Sequence, residues 1–153
     1  MAFILLRRYI GRGKGVAIKS FPELDESYVR KIEEFNADYV FILDKPAVSS
    51  KFIDGVKTKN LPIVWIDHHD IEVNLKDLNE KNVNYYNPVL SNQKSGEPTS
   101  YIAYSITKNK NDLWLAMAGC VADNFMPEFL NEVIKQYPEL FNKNINSAFE
   151  ILY

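Results

Sequence analysis

The stretch "VWIDHHD" places two acids and both histidines of the chain directly after three apolar residues. Because such an apolar run is typical of a buried β-strand, Asp67, His68 and His69 should follow its carboxyl end. Asp44 ends an earlier run of the same kind, "YVFILD". In an open parallel sheet, ligands bind outside the carboxyl ends of the strands. Carboxylates and imidazoles suit Mn²⁺ or Zn²⁺, and a carboxylate can bridge two ions about 3.5–4 Å apart, so these residues predict a metal site.

A third acid, Asp123, follows the small-residue stretch "AGCVAD" and is a weaker candidate, because an acid within a helix can simply face solvent. The other candidates have plainer interpretations too. A single acid after a strand is commonly a helix cap, and neighbouring histidines in a surface loop are commonly solvated. The buried character of the preceding strand favours the metal interpretation. Asp70 is expected to face solvent, and Cys120 to fill a small space in the core.

Helix and strand signals alternate along the first 90 residues. The helices and strands that they predict must position these side chains. Helical spacing predicts helices in "AFILLRRYIG", ending at Gly11, in "DESYVRKIEEFNA", and in "SSKFIDGVKTKN", capped by Ser49 or Ser50. Strands are predicted in "GVAIKSF", "DYVFILD", "LPIVWID" and "NVNYYNP". The second and third should be covered on both faces, and the last should be a short edge strand. This order predicts an α/β fold with a parallel Rossmann-like sheet and crossover helices.

Beyond residue 90 the sequence predicts a helical C-terminal part. The stretches "TSYIAYSI", "DLWLAMAGCVADNF" and "PEFLNEVIKQYPELF" have helical character, and no further strong strand follows. Thr99 or Ser100 can cap the first helix and Asp112 the second, while Pro127 suits the first turn of the third.

Length and composition limit the class of protein. With 153 residues, 46% of them hydrophobic, the chain is long enough for one compact domain, so we expect a single domain over residues 1–153. The net charge of −2 provides no overall field that would attract nucleic acid. One cysteine excludes an internal disulfide, and no stretch reaches the roughly 18 apolar residues that a membrane span needs. Arg7 and Arg8 follow the N-terminal apolar run, which reverses the order of a secretory signal, so we expect a cytoplasmic protein.

The motifs "ILD", "DHH" after a hydrophobic strand, "PTSYIAYSI" and "AGCVADNF" occur in an order that resembles the DHH phosphoesterase superfamily, in the branch similar to archaeal RecJ-like nucleases. The resemblance covers most of the chain. It implies a two-metal Mn²⁺ site, with Mg²⁺ as the other candidate ion, in which Asp44 bridges the ions while His68 and Asp123 bind one of them. It also implies that Asp67 orients His68 and that His69 faces the substrate phosphate or leaving oxygen. The implied activity is a phosphodiesterase or exonuclease acting on single-stranded nucleic acid or short oligonucleotides.

The chain departs from this family at both ends. The family begins with a strand that ends in an HxDxDG or DxDG motif, whose acids complete the metal site, and it has a C-terminal substrate-binding domain; neither is found in this sequence. We therefore expect a fragment or truncated relative of a longer phosphoesterase. The family's first strand would lie between "GVAIKSF" and "DYVFILD". Because each ion needs several protein ligands, we expect the chain alone to hold at most one Mn²⁺ tightly and to have negligible activity.

Two other functions stay open at this point. The substrate could be a small molecule such as a cyclic dinucleotide or pyrophosphate, since the absent domain would select it. The chain could also be a non-catalytic DHH-fold scaffold whose partners are DNA replication or repair proteins. The missing first motif favours a scaffold. Against it stand five retained site residues, which a degenerate relative has little reason to keep: Asp44, Asp67, His68, His69 and Asp123.

Overall fold

The computed structural model describes residues 1–19, 23–70, 75–90 and 95–140, in which helices and parallel strands alternate. The helices are α1 (Ala2–Ile10), α2 (Val29–Glu34), α3 (Ser50–Lys57), α4 (Leu75–Glu80), α5 (Thr99–Thr107), α6 (Leu113–Ala122) and α7 (Leu130–Gln136). The strands are β1 (Glu23–Leu24), β2 (Val40–Leu43), β3 (Ala47–Val48), β4 (Ile63–Ile66) and β5 (Val83–Tyr86). The α/β class is confirmed.

The chain divides into two compact units. We call Lys14–Ser95 the sheet unit, and Met1–Gly13 together with Gly96–Tyr153 the helical unit. The predicted helical C-terminal part corresponds to the second of these, which also includes α1. That residues 1–153 form one DHH phosphoesterase domain stays a prediction.

Parallel pairing organises the sheet unit. Strands β2, β4 and β5 form a sheet in that order, with Val40 opposite Ile63 and Ile63 opposite Val83. Helix α3 connects β2 to β4, and α4 connects β4 to β5, so helices link parallel neighbours as predicted. β5 is an edge strand of the described sheet, also as predicted. β1 and β3 form a separate parallel pair.

The two faces of the three-stranded sheet differ in burial. One face carries Ile42, Ile63, Trp65 and Val83 into the core cluster, together with residues of α2 and α3. On the other face, Phe41 remains 42% exposed. The prediction that "DYVFILD" is covered on both faces is therefore wrong, whereas β4 in "LPIVWID" is largely buried. Phe41 alternates with Ile42 along β2 and so projects from the face opposite the core cluster.

The predicted strand "GVAIKSF" is not formed in its described part. Residues 15–19 have no regular secondary structure, and residues 20 and 21 lie outside the described chain. The parallel ladder with β3 begins later, at Glu23. Ile18 still packs against the core cluster. Val16, by contrast, is 38% exposed, so only part of this apolar segment reaches the core, and no neighbouring strand pairs with its described residues.

Local capping agrees with the sequence for the early helices. Gly11 ends α1 in the left-handed conformation, with φ of 81°, and its N–H donates to the Arg7 carbonyl at 2.9 Å. The side chain of Ser49 accepts a hydrogen bond from the Phe52 N–H at 3.1 Å and so caps α3. Of the two serines that the sequence allowed, Ser49 is the cap.

In the helical unit, the predicted starts of α5 and α7 are displaced, and Asp112 occupies the predicted N-cap position of α6 without its side-chain capping bond. Pro98 occupies the N-cap position of α5, without a side-chain cap. Asp112 precedes α6, but its buried carboxylate pairs with Arg8 and Asn109 instead of capping the helix. Helix α7 begins at Leu130, so Pro127 precedes it. At Asp112, the ion pair with Arg8 replaces the local capping bond.

Close helix packing holds the helical unit together. Helix α5 packs against α1 and α6, and a Cβ at Gly119 of α6 would overlap the side chain of Ser100 on α5. Leu113, Met117 and Val133 are fully buried in a cluster between α6 and α7. None of the helices in the described part of the chain has the length and apolarity that crossing a bilayer requires.

Candidate metal centre

Backbone hydrogen bonds hold two acids at the carboxyl edge of the sheet. The Asp44 N–H donates to the Ile66 carbonyl at 3.0 Å, and the Asp67 N–H donates to the Tyr86 carbonyl at 3.1 Å. Each bond extends a parallel ladder by one residue past the end of its strand. The two acids therefore occupy adjacent strand ends, which is the placement that the sequence predicted.

Asp44 has an uncommon backbone conformation. Its φ is 58°, in the left-handed region that costs most side chains free energy, although aspartate tolerates it better than most. This conformation turns the chain directly after β2. The Trp65 indole N–H donates to the Lys45 carbonyl at 2.9 Å and holds the turn against β4. Such conformations persist where the surroundings impose them, and they cluster at functional sites.

Both histidines lie beside the Asp44 carboxylate. Nε2 of His68 is 3.2 Å from Oδ1 of Asp44, and the His68 side chain is only 16% exposed. Asp44, His68 and His69 each offer a ligand atom, and these three atoms lie within 4.8 Å of one another. The structure therefore brings together the carboxylate and imidazole groups that the sequence singled out.

Asp67 contacts a different histidine from the one expected. Its side chain is 0% exposed, its Oδ2 accepts from the His69 N–H at 3.1 Å, and its Oδ1 lies 2.8 Å from Nδ1 of His69. The resemblance implied that Asp67 orients His68. In the structure it orients His69, because the chain leaves the ladder after Asp67 and folds the residue two positions on back over the carboxylate.

Asn87 is a supporting residue that the sequence motifs did not indicate. Its Nδ2 donates to the His69 carbonyl at 2.8 Å and to Oη of Tyr85 at 2.9 Å, and its Oδ1 accepts from the Val89 N–H at 3.0 Å. Asn87 follows β5 just as Asp44 and Asp67 follow β2 and β4. That position after a third parallel strand is the signal that could have identified it.

The surroundings of Asp67 also affect Tyr85. Burial raises the pKa of Tyr85, the nearby Asp67 carboxylate raises it further, and the hydrogen bond from Asn87 partly offsets both. Tyr85 therefore stays neutral through the physiological range and can accept the Asn87 bond without adding a second negative charge beside Asp67.

Asp123, Asp70 and Cys120 are not members of the Asp44, His68 and His69 group. Asp123 directly follows α6 in the helical unit and is exposed, and its participation in a metal site stays a prediction. Asp70 is exposed, as expected. Cys120 is completely buried, and burial raises the pKa of its thiol to about 12, which makes it an inert core residue as predicted.

The donor set fits a divalent transition ion. Two imidazoles and one carboxylate are common ligands of Mn²⁺, Fe²⁺ and Zn²⁺, and the 3.2 Å between Nε2 of His68 and Oδ1 of Asp44 matches the spacing of neighbouring ligands on one ion, about 3 Å. Comparisons with known proteins add no further guide: no family model, no curated protein and no solved structure matches the chain.

Proposed function

We propose that this chain carries the metal-binding half of a DHH-type, RecJ-like phosphoesterase, which hydrolyses phosphodiester bonds of single-stranded nucleic acid or short oligonucleotides. One observation carries the proposal: Asp44, His68 and His69 converge within 4.8 Å at the carboxyl edge of a parallel sheet. This is the edge at which α/β folds with parallel sheets bind their ligands.

Asp44 and His68 would hold the ion, with Mn²⁺ as the first candidate. A bound divalent ion would neutralise phosphate charge and polarise the phosphoryl group as a Lewis acid. The Asp44 side chain is 53% exposed, so substrate can approach it, whereas His68 is largely shielded and anchored to it. This difference suits a site that opens on one side.

Two hydrogen bonds also fix the position of His69. Asp67 accepts the hydrogen on Nδ1 of His69, and Asn87 holds the His69 backbone carbonyl. The His69 side chain is 44% exposed, so the oriented ring is accessible from solvent. Burying a carboxylate completely is costly, and here it serves to orient one imidazole. A scaffold that had lost catalysis would gain little from that arrangement, which favours the enzyme over the replication or repair scaffold.

The test is whether the chain recognises phosphate in a metal-dependent way. We expect fluorescence anisotropy to show that a 5′-phosphorylated single-stranded oligonucleotide binds the full chain only when Mn²⁺ is present. His68→Ala should abolish that dependence, whereas Asp70→Asn, a change at an exposed neighbour, should keep it. Oligonucleotide binding that does not depend on Mn²⁺, or Mn²⁺-dependent binding that is unchanged in His68→Ala, would contradict the proposal.

Hydrolysis is the second measurement. The chain by itself should show negligible turnover of the same oligonucleotide, and fusion to an upstream strand with a DxDG-type motif should restore turnover. Robust turnover by residues 1–153 alone would show that acids already in the chain replace that motif. A fused protein that binds Mn²⁺ but cleaves only a cyclic dinucleotide or pyrophosphate would move the substrate to the small-molecule class.

A further inference from the structure

We propose that His69 is a third protein ligand, so that Asp44, His68 and His69 together bind one borderline transition ion, and that Asp67 is the positioning residue for His69. The inference rests on the proposed function, because it concerns the same site. It goes beyond it by assigning His69 to the ion, whereas the DHH resemblance implies a role towards the substrate.

The orientation of His69 is the first argument. Adjacent residues of an extended chain normally point to opposite sides. Here the rings of His68 and His69 lie on the same side of the chain, with centroids 4.7 Å apart and planes tilted by 52°. The extended ladder ends at Asp67, and the Asn87 amide fixes the His69 carbonyl at 2.8 Å. Two buried polar side chains thus hold the chain in the turn that brings both imidazoles together.

The tautomer of His69 is the second argument. A carboxylate can only accept a hydrogen bond, so the 2.8 Å contact with Asp67 requires the hydrogen of His69 on Nδ1. With the hydrogen on Nδ1, the neutral form of the ring has its lone pair at Nε2, where it can bind an ion. A lone pair can bind a cation, but it cannot donate a proton to a leaving oxygen. Metal-binding histidines commonly have this carboxylate contact, because it fixes the ring and increases its basicity.

The donor set also predicts which ion is preferred. Two imidazoles with one carboxylate favour Zn²⁺, Co²⁺, Fe²⁺ or Mn²⁺, in the order of their intrinsic affinities for nitrogen ligands. Mg²⁺ prefers oxygen ligands and keeps several waters. The site should therefore bind Zn²⁺ and Co²⁺ more tightly than Mn²⁺, and Mg²⁺ only weakly.

Nitrogen NMR of the full chain tests the assignment without any mutation. The chain has two histidines, so ¹⁵N-histidine labelling gives only two pairs of ring signals. One equivalent of Zn²⁺ should shift the Nε2 signals of both His68 and His69, while Nδ1 of His69 keeps its hydrogen. A shift confined to His68 would overturn the inference and leave the proposed function standing. No shift at either histidine would overturn both.

Variants provide an independent readout through Co²⁺ titration followed by visible absorption. His69→Gln should weaken Co²⁺ binding by more than about tenfold, and Asp67→Asn by about 10–100-fold, the usual cost of losing the partner of a ligating histidine. Asp70→Asn is the matched control and should bind Co²⁺ as the wild type does. Circular dichroism verifies that each variant is folded. A folded His69→Gln variant with wild-type affinity would overturn the inference.

Discussion

At the scale of single residues, the surroundings of a polar side chain decide its chemistry. Tyr101 in the helical unit shows this away from the candidate site. Its hydroxyl donates to Oε1 of Glu128 at 2.7 Å. Burial raises the pKa of Tyr101 to about 12, and the Glu128 carboxylate adds to the effect. The folded chain therefore keeps a proton that the unfolded chain loses near pH 10.

This difference predicts a pH dependence of stability. The contribution of Tyr101 is fully present below its ordinary pKa of 10.0 and is lost as the pH rises towards about 12, because only the unfolded state releases the proton in that interval. Urea unfolding at about pH 9 and about pH 11 should show that Tyr101→Phe loses less stability than the wild type. Tyr9→Phe, at an exposed position, should follow the wild type. Identical pH dependence in Tyr101→Phe would contradict the prediction.

At the scale of elements, the outer edge of β2 is the notable feature. The N–H groups of Val40 and Asp44 point towards β4, so the intervening groups of Phe41 and Leu43 point away from it. In the described chain no strand pairs with that edge, and β1 lies in a different sheet. The DHH resemblance implies a missing strand beside "DYVFILD", and an open edge there agrees with that proposal. Open edges readily accept another strand.

The two faces of β2 predict opposite mutational effects. Ile42 is 5% exposed in the core, so Ile42→Ala should lower the free energy of unfolding by about 2–5 kcal/mol. Phe41 lies on the accessible face, where it stacks on Tyr39, so Phe41→Ala should cost less than about 1 kcal/mol. Urea unfolding of both variants measures the difference. Equal costs would mean that the outer face is also buried in solution.

Helix α3, which leads from β2 to β4, has a cap that can be tested with a matched pair. Ser49→Ala removes the acceptor for the Phe52 N–H and should cost about 1 kcal/mol. Ser50→Ala changes the first exposed position of the helix and should be neutral or slightly stabilising, because alanine is the better helix former. Thermal unfolding of both variants measures the difference. A larger loss of stability for Ser50→Ala would show that Ser50, and not Ser49, caps the helix.

At the scale of the whole molecule, the predicted ligands belong to different compact units. Asp44, His68 and His69 belong to the sheet unit, and Asp123 belongs to the helical unit. The DHH resemblance implies that Asp123 shares the ion with His68. An ion that binds only the folded chain should raise its stability, by an amount that increases with the logarithm of the affinity.

Asp123→Asn tests whether Asp123 is a ligand of the ion. Loss of a direct ligand should weaken Mn²⁺ binding by at least about tenfold, since even an indirect partner contributes that much. It should also reduce the rise in unfolding temperature that Mn²⁺ gives the wild type. Glu132→Gln, which changes another acid of the helical unit, should leave both unchanged. Calorimetric titration with wild-type affinity for Asp123→Asn would restrict the site to the sheet unit.

Much of this organisation was predictable from local patterns. Continuous apolar runs identified β2 and β4, helical spacing identified α1, α3, α5 and α6, and Gly11 marked a helix end. The placement of Asp44 and Asp67 at adjacent strand ends followed from parallel strand order. These features depend on neighbours within a few residues or on the general geometry of parallel sheets, so one sequence contains enough information for them.

Other features depended on contacts between distant residues. The sequence alone determined the α/β class, the strands that end in acids, and the donor types available to a metal. Only the tertiary structure decided that Phe41 is accessible, that Asp112 pairs with Arg8 instead of capping α6, and that Asp67 holds His69 with the help of Asn87. The physical reason is that hydrogen-bond partners of buried polar groups are selected by three-dimensional proximity, which sequence spacing does not specify.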